Sequence, residues 1–354
     1  LSNVEAVDGA ITIASNDALA SVDLSMAYTV GGTIDVQHNP VLELLDLGDL
    51  HSFGQEMSLT HSPLTDIRLS EVTSMHRMFI SKTTIGHLDL SALETINGSF
   101  QVDEDDIGSI DLQNLTDAGS FDIYGAEELT SLNVEKLVDS GSEFMVRSSP
   151  NITEINAPSL VETGQFRLTD LSSMTTFEFP ELVNISNLEI SDADSVTTIE
   201  LPKLTDFTGQ FRLRGNPILT SIDVSSLSCV GSYFVEDNGL SDEAYLELLS
   251  HLSCTAEGSL LVLKPSDADD YCADTEGGVD SITIATLSAD PIDLSCITEV
   301  NGDITIDSAN ATAVDLSNVE AVDGAITIAS NDALASVDLS MAYTVGGTID
   351  VQHN

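Results

Sequence analysis

The chain has 354 residues, of which 59 are acidic and only 10 are basic, so its formal net charge is −49. Binding to nucleic acid needs clustered lysine and arginine, and an anionic membrane surface repels such a chain, so both are excluded as general partners. The hydrophobic fraction of 42% is ordinary for a folded protein. Because Trp is absent and aromatic residues make up 5% of the chain, we expect a core of Leu, Ile and Val.

The chain contains a long repeat. Residues 1–39 recur without a change at residues 316–354, so residue 316 repeats residue 1 and the period is 315 residues. A tandem array of near-identical units explains this repeat, and an engineered duplication is the alternative. We therefore expect adjacent identical modules of the same chain as the first partners of this unit.

A shorter repeat of about 22 residues lies inside the long one. Its first part has the form Gly-x-φ-x-φ, where φ is apolar, and its second part is an alternating run about ten residues later, such as LASVDL at 19–24 and LTSIDV at 219–224. Strict alternation over five or six residues predicts a strand with one buried face. Strands this short bury that face only by stacking coil on coil, which predicts an all-β, parallel β-solenoid. The Gly-x-φ-x-φ segments begin at Gly9, Gly31, Gly98, Gly119, Gly164, Gly209, Gly231 and Gly302.

One stretch breaks this rhythm and predicts a helix. Residues 238–251 indicate a short amphipathic helix near 240–252, with Leu246, Leu249 and Leu252 on one side and acids in the first turn. In the regular coils, Gly before the first strand and Asn before the second run, at Asn16, Asn39 and Asn216, are typical of turns.

A module junction is predicted around the helix. Residues 264–280 are acidic and rich in turn-forming residues, which is typical of a connection between domains. The predicted organisation is β-solenoid coils at 1–237, a disulfide-stapled junction at 238–296, and the first coils of the next repeat at 297–354.

All four cysteines fall at this junction: Cys229, Cys254, Cys272 and Cys296. The first two are 25 residues apart and the last two are 24 apart, each close to one coil. Residues one coil apart stack near the Cα separation that a disulfide needs, which favours Cys229–Cys254 and Cys272–Cys296. A zinc site, which usually shows CxxC spacing, and buried free thiols are the alternatives. Disulfides indicate an oxidising, extracellular setting.

Five N-glycosylation sequons support that setting, because they occur on the surfaces of secreted proteins. They are Asn97, Asn114, Asn151, Asn184 and Asn310. Glycans are therefore expected partners of the chain.

The outward position of the second strand is acidic in nine of twelve coils, which predicts a row of carboxylates about 5 Å apart. Such a row repels itself unless salt or bound cations screen it. One hypothesis is a string of weak Ca²⁺ sites, and the alternative is a solvated acidic face kept for solubility. The candidate cation ligands are Asp23, Asp46, Asp89, Asp111, Asp223, Asp293 and Asp315. Arg68, Asn133, Asn156, Glu178 and Glu200 occupy the same position in the other coils.

The outward position of the first strand varies more. It holds Thr283, Thr305 and Thr327 in one stretch and Gln101, Asp122, Arg167 and Arg212 in other coils. The candidate outward aromatics are few: Phe79, Tyr233 and Phe234.

The register L-x-x-φ-x-G-x-φ-x-φ, followed by N-x-x-L-x-x-φ-x-φ, resembles the receptor L-domain superfamily, which is related to leucine-rich repeats. Its texture is similar to that of fungal and microbial cell-surface L-domain proteins. The stretch NPILTSIDVSSLSCVGSYFVEDNGLS, with a late cysteine and a following helix, is similar to the way such domains close. The resemblance covers nearly the whole chain and implies a right-handed β-solenoid at the cell surface. The extreme acidity and the lack of flanking cysteine-rich modules argue against a signalling receptor.

No Gly-x-Ser-x-Gly elbow, P-loop, dinucleotide fingerprint or HExxH motif is present in the sequence, so we predict a protein that is not an enzyme. The expected function is a structural repeat unit of an extracellular fibre or rod. The main alternative is a cell-surface adhesin or receptor-type module that binds carbohydrate or protein, and a lyase-type β-helix enzyme is a third. A consensus-breaking outward row or an exposed aromatic patch would favour a binding module. No cofactor is expected other than Ca²⁺.

Overall fold

A computed structural model describes residues 3–252, 260–262, 277–279, 281–284, 292–295, 297–307, 312–329, 331 and 333–352. The described strands pair in parallel, coil on coil, with about 22 residues per coil. The predicted all-β parallel β-solenoid with one short helix is therefore confirmed. The chain divides into two compact units, residues 1–240 and residues 241–354.

The first unit contains 25 strands. They are β1 (Ala6–Val7), β2 (Ile11–Ala14), β3 (Ser21–Asp23), β4 (Thr29–Val30), β5 (Ile34–Gln37), β6 (Leu44–Asp46), β7 (Ser52–Phe53), β8 (Glu56–Thr60), β9 (Asp66–Arg68), β10 (Ser74–Met75), β11 (Arg77–Ser81), β12 (Leu88–Asp89), β13 (Thr95–Asp103), β14 (Ser109–Asp111), β15 (Asp117–Tyr124), β16 (Ser131–Asn133), β17 (Glu143–Arg147), β18 (Glu154–Asn156), β19 (Gln165–Thr169), β20 (Thr176–Glu178), β21 (Asn187–Ser191), β22 (Thr198–Glu200), β23 (Phe207–Asn216), β24 (Ser221–Asp223) and β25 (Val230–Asn238).

The Gly-x-φ-x-φ segments of this unit form one sheet, called here the long sheet, in the order β2-β5-β8-β11-β13-β15-β17-β19-β21-β23-β25. Strand β10 joins it by pairing with β13. The second runs form separate short sheets, β3-β6-β9, β12-β14-β16-β18 and β20-β22-β24, and a further sheet has the order β1-β4-β7. Each coil thus contributes one strand to the long sheet and one to a short sheet.

The second unit contains one helix and 12 described strands. They are α1 (Asp242–Leu252), β26 (Leu260–Val262), β27 (Gly277–Val279), β28 (Ser281–Ile284), β29 (Ile292–Asp293), β30 (Ile297–Val300), β31 (Ile304–Asp307), β32 (Ala313–Asp315), β33 (Ala321–Val322), β34 (Ile326–Ala329), β35 (Ser336–Asp338), β36 (Thr344–Val345) and β37 (Ile349–Gln352). Its sheets have the orders β26-β28-β31-β34-β37, β27-β30-β33-β36 and β29-β32-β35.

Helix α1 lies where the sequence predicted it. Leu249 and Leu252 are buried as expected, and Leu248 is buried beside them. The side chain of Leu246 lies outside the described part of the helix. Ser241 begins the helix, because its hydroxyl accepts a hydrogen bond from the Ala244 amide at 3.3 Å.

The core departs from the Leu, Ile and Val composition that we expected. Those residues fill most inward positions, but four consecutive coils of the long sheet stack phenylalanine rings, with centroids 5.0, 5.4 and 5.9 Å apart. The stacked rings belong to Phe100, Phe121, Phe144 and Phe166. A low aromatic fraction misled the prediction because most of the few aromatics are concentrated inside, where parallel pairing places identical residues face to face.

The repeated glycine is required by close approach between coils. A Cβ atom on Gly209 would lie 1.9 Å from the carbonyl oxygen of Ser186, and one on Gly231 would lie 1.9 Å from that of Thr208. Neither residue is among those with positive φ. The glycine therefore marks a contact between successive backbones, in addition to the turn that the sequence indicated.

A row of left-handed residues ends the strands of the long sheet. It was not predicted, because it mixes Gly, Asp and His, which adopt positive φ more readily than other residues, with Ser, Lys and Glu, so no single residue type marks the position. The row consists of Ser15, His38, His61, Lys82, Glu104, Gly125, Ser148, Asp170, Asp192, Gly215 and Asp237.

In many coils the residue that follows the left-handed one is polar and buried, and its hydrogen bonds connect neighbouring coils. Asn39 accepts a hydrogen bond from the Asn16 amide at 3.1 Å and donates to the Ile13 carbonyl at 2.9 Å. Asn216 accepts from the Ala193 amide at 3.2 Å in the same way. These asparagines were interpreted as turn residues, and the structure shows that they also satisfy backbone groups inside the solenoid.

Asp105 occupies the same position in its own coil. It is 1% exposed and accepts hydrogen bonds from the backbone and the hydroxyl of Thr83 at 2.7 and 2.9 Å. Burial raises the pKa of Asp105 from 3.8 to about 6, although the hydrogen bonds from Thr83 oppose the shift.

We expect Phe144→Ala to lower the free energy of unfolding by about 3–5 kcal/mol, because it leaves a cavity between two stacked rings. Urea unfolding followed by circular dichroism checks this. Val138→Ala is the control, since Val138 is 42% exposed and its truncation should cost much less. Equal losses in both variants would contradict a stabilising role of the stack.

We expect Asp105→Asn to stabilise the protein near neutral pH. The folded-state pKa of Asp105 is raised, so its stabilising contribution is complete below pH 3.8 and is lost as the pH rises through about 6, a difference of about 3 kcal/mol. An asparagine retains the acceptor and does not ionise, as at Asn39. The difference in unfolding free energy between variant and wild type should therefore grow from pH 4 to pH 7. A constant difference across this range would contradict the assignment, because the other acids titrate in both proteins.

Candidate arginine face

Basic side chains gather on the outward face of the long sheet. Four of the chain's 10 basic residues lie there on β17, β19 and β23, in a protein of net charge −49. We call this surface the arginine face and define it by the outward side chains Arg147, Gln165, Arg167, Asn187, Glu189, Gln210, Arg212 and Arg214. Parallel pairing aligns them in rows across the strands, with Gln165 opposite Asn187 and with Arg167, Glu189 and Arg212 in one row.

Ion pairs hold these guanidinium groups in place. Arg167 Nε lies 2.7 Å from Glu189 Oε2, and Arg212 Nη1 lies 3.9 Å from Glu189 Oε1. One carboxylate thus serves two arginines on its two flanking strands. Arg147 Nη2 donates to both carboxylate oxygens of Asp122, at 2.8 and 2.9 Å. Because all these side chains are partly exposed, the pairs contribute little stability and mainly orient the groups.

Glu143 on β17 is perturbed by the same surroundings. Burial raises the pKa of Glu143, and repulsion from Asp122 adds to the shift, while Arg147 and Arg167 oppose it.

Aromatic rings flank the arginine face. The Arg147 guanidinium lies 5.2 Å from the centre of the Tyr124 ring, and that of Arg212 lies 5.0 Å from the centre of the Phe234 ring. Tyr124 is 39% exposed. Of the predicted outward aromatics, Phe79 and Phe234 do face outward and are half-buried. The prediction that Tyr233 faces outward was wrong, because Tyr233 pairs with Phe211 in the inward row.

A shallow cavity of about 200 Å³ opens on this face between β19, β21 and β23. Its polar lining comes from Gln165, Arg167, Asn187, Glu189 and Gln210. The backbone amide of Gln210 donates a hydrogen bond to the side-chain oxygen of Asn187 at 2.9 Å. This bond fixes the orientation of the Asn187 side chain. The lining therefore offers amide, guanidinium and carboxylate groups at one place.

A second cavity of about 370 Å³ lies at the turns that precede β17, β19 and β21. Asp139, Glu162 and Asn184 line it, and they stack in successive coils through isolated parallel bridges. Asp139 Oδ1 accepts a hydrogen bond from the Gly141 amide at 2.7 Å, so this carboxylate has a structural role in its turn.

The predicted acidic row exists as parallel ladders. Asp23 pairs with Asp46, and Asp89 pairs with Asp111. The register also runs through Glu178, Glu200 and Asp223, and through Asp293 and Asp315. The side chain of Asp293 is outside the described part of the structure.

Most of these aspartates hydrogen-bond the turn that follows them. The Ser25 amide donates to Asp23 at 3.1 Å, the Ser91 amide donates to Asp89 at 2.9 Å, and equivalent bonds reach Asp46, Asp111, Asp223 and Asp315. Hydrogen bonds from Ser25 hold the pKa of Asp23 below its ordinary value, and those from Ser91 do the same for Asp89. This turn chemistry explains an acid at the position without any bound ion.

Two positions of the row hold a residue other than an acid, and these residues reduce the repulsion between neighbouring carboxylates. Arg68 Nη1 lies 2.8 Å from Asp46 Oδ2, and the Asn133 amide donates to Asp111 Oδ1 at 3.0 Å. Within the described residues, no group of three or more His, Cys, Asp and Glu side chains is arranged to hold a metal ion. The Ca²⁺ ladder stays a prediction.

The cysteine and sequon predictions are only partly covered by the structure. Cys229 is disulfide-bonded, whereas Cys254, Cys272 and Cys296 lie outside the described residues, so the pairing stays a prediction. Among the sequons, Asn97, Asn151 and Asn184 are exposed, and Asn310 lies outside the described residues.

The side-chain amide of the sequon residue Asn114 makes two hydrogen bonds within the protein. Its nitrogen donates to the Ser91 carbonyl at 2.7 Å, and its oxygen accepts from Lys136 Nζ at 2.6 Å. Glycosylation there would replace one of the two hydrogens on that nitrogen and leave the other for the bond to Ser91.

No protein-family model matches the chain, and no curated protein matches it significantly. No helix in the described part of the chain is both long and apolar enough to span a bilayer.

We expect Asp89→Ala to lower the free energy of unfolding by about 0.5–1 kcal/mol, because the turn at Ser91 loses its acceptor. Asp89→Asn is the matched control, since asparagine retains that acceptor and should change stability by only a few tenths of a kcal/mol. Thermal melts in calcium chloride and in sodium chloride at matched ionic strength check both variants. A calcium-specific stabilisation of the wild type that both variants lose would show instead that the row binds cations.

Proposed function

We propose that the chain is a non-enzymatic structural repeat unit of an extracellular or cell-surface fibre, built from tandem L-domain-like solenoid modules. The observation that carries this proposal is that two identical sequences, 1–39 and 316–354, form the same strands in the two units. Ile11 pairs with Ile34 in the first copy, and Ile326 pairs with Ile349 in the second. One sequence thus forms equivalent coils in each of the two units.

The two copies also show how a tandem array would stabilise itself. Ile34 and Val36 are fully buried, because β8 of the next coil covers β5. Their counterparts Ile349 and Val351 are 64% and 61% exposed. Each coil therefore depends on its neighbour for burial.

The extracellular location is proposed on three grounds. Asn97 and Asn184 lie exposed in sequons, as N-linked glycosylation requires. Cys229 carries a disulfide bond, which is typical of an oxidising compartment. The net charge of −49 keeps such rods soluble in salt-containing surroundings. Adjacent modules and glycans are the proposed partners.

A binding module, such as an adhesin or receptor-type domain, is the second candidate function. It is favoured by the outward row of the long sheet, where Met145, Arg167, Glu189, Arg212 and Phe234 replace the small polar residues of the first coils. A purely structural rod has no need for such a departure. The two functions are compatible, because a rod can carry binding sites on its coils.

Electron microscopy of the native material tests the fibre directly. We expect uniform filaments with an axial repeat of about 65–70 Å, since roughly fourteen coils of about 4.8 Å make up one long period. A recombinant single module is the control and should remain a short particle. Native material that consists of isolated particles of one or two units would overturn the fibre and leave the binding module as the function.

A further inference from the structure

The arginine face combines the groups that bind sugar hydroxyls. Gln165, Asn187 and Gln210 present amides that both donate and accept hydrogen bonds, and all three residues are exposed. The row beside them holds Arg167 and Arg212, which only donate, and Glu189, which only accepts. A pair of neighbouring sugar hydroxyls, each of them both donor and acceptor, fits such a mixture.

The spacing of the groups matches a chain of sugar rings. Neighbouring strands lie about 4.8 Å apart, so each coil presents one amide and one charged group at steps comparable to the length of a hexose residue. The cavity between β19 and β23 has a volume of about 200 Å³, which accommodates about one hexose ring. An oligosaccharide that crosses the strands would place one ring in this cavity and its neighbours on the adjoining coils.

The electrostatics favour a neutral ligand. Arg167 and Arg212 share the single carboxylate of Glu189, and Arg147 is paired with Asp122, so these three arginines face two carboxylates and the five groups together carry a net charge of only +1. The rest of the chain carries the net charge of −49, which repels polyanions at a distance. A polyanion would therefore meet repulsion without a strongly basic site to compensate for it.

A protein partner fits less well, because the exposed surface of the face is mainly polar. Met145, on β17 at the edge of the face, is only 7% exposed, and Tyr124, on the neighbouring strand outside the face, is 39% exposed. Protein interfaces concentrate aromatic and apolar anchors at their centre. Here the centre is polar and hydrogen-bonding.

We propose that the arginine face binds a neutral oligosaccharide, with one hexose ring in the cavity lined by Gln165, Arg167, Asn187, Glu189 and Gln210. The proposal rests on the second candidate function, the binding module, and names its site and ligand class. The amides contact the hydroxyls of the sugar, and the guanidinium groups present flat surfaces beside the ring. Ion pairing holds those groups in position before the ligand arrives, which lowers the entropic cost of binding.

Isothermal titration calorimetry of the full chain with defined hexaoses tests the proposal. The neutral probes are β-1,4-linked glucose, β-1,4-linked N-acetylglucosamine and α-1,6-linked mannose, and the acidic probe is hexagalacturonate. We expect at least one neutral probe to bind with a Kd on the order of 10 μM to 1 mM. Gln165→Ala and Gln210→Ala should each weaken it at least about tenfold. Both side chains are exposed, so thermal melts should show unchanged folding.

Gln101→Ala is the matched control, because Gln101 lies in an outward row of the same sheet on β13, away from the cavity. It should leave the Kd within about twofold of the wild type. If Gln165→Ala and Gln210→Ala both bind the probe as tightly as the wild type, this site is wrong, although the binding-module function would still stand. The absence of binding by all neutral probes, or tighter binding of hexagalacturonate, would overturn the ligand class. Filament formation in the microscope is a separate measurement and does not depend on any of these outcomes.

Discussion

Parallel hydrogen bonding between successive coils is the interaction on which the rest of this structure depends. Strands as short as two to five residues satisfy their backbone groups only when a neighbouring coil lies about 4.8 Å above and below. That spacing explains the repeated glycine, because a Cβ at Gly209 or Gly231 would strike the backbone of the coil before it. It also explains the buried asparagines, which satisfy backbone groups between coils where the strands end.

Because the coils stack in register, equivalent positions of successive coils form a row of side chains. The residue type at that position determines the chemistry of the row. An inward row of phenylalanine becomes a continuous ring stack. A row of aspartate would become a self-repelling ladder, yet each carboxylate also closes the turn that follows it. Arg68 and Asn133 interrupt the ladder and bond the neighbouring carboxylates. A position can therefore remain acidic because its local hydrogen bonds offset the repulsion along the row.

The arginine face is the exception in a chain whose surface is dominated by acids. Its arginines lie on strands of different coils and come together only because the coils stack in register. Shared ion pairs through Glu189 keep the guanidinium groups ordered and the local charge low. A solenoid with a mostly acidic surface can thus carry one patch of mixed polar groups. The proposed structural and binding roles would use different surfaces of the coils.

The repeat pattern alone was sufficient to predict the all-β parallel solenoid, the coil length and the short helix, because alternating apolar residues and recurring glycine depend on local chain geometry. It also predicted the register that aligns Asp89 with Asp111, since equivalent positions of successive coils must stack. Tertiary structure alone revealed the rest. The left-handed row at His38, Lys82 and Glu104 has no residue signature, and the burial of Asp105 depends on coils on both sides of it. The arginine face depends on side chains from four coils that are about 22 residues apart in sequence, and only their stacking makes them neighbours.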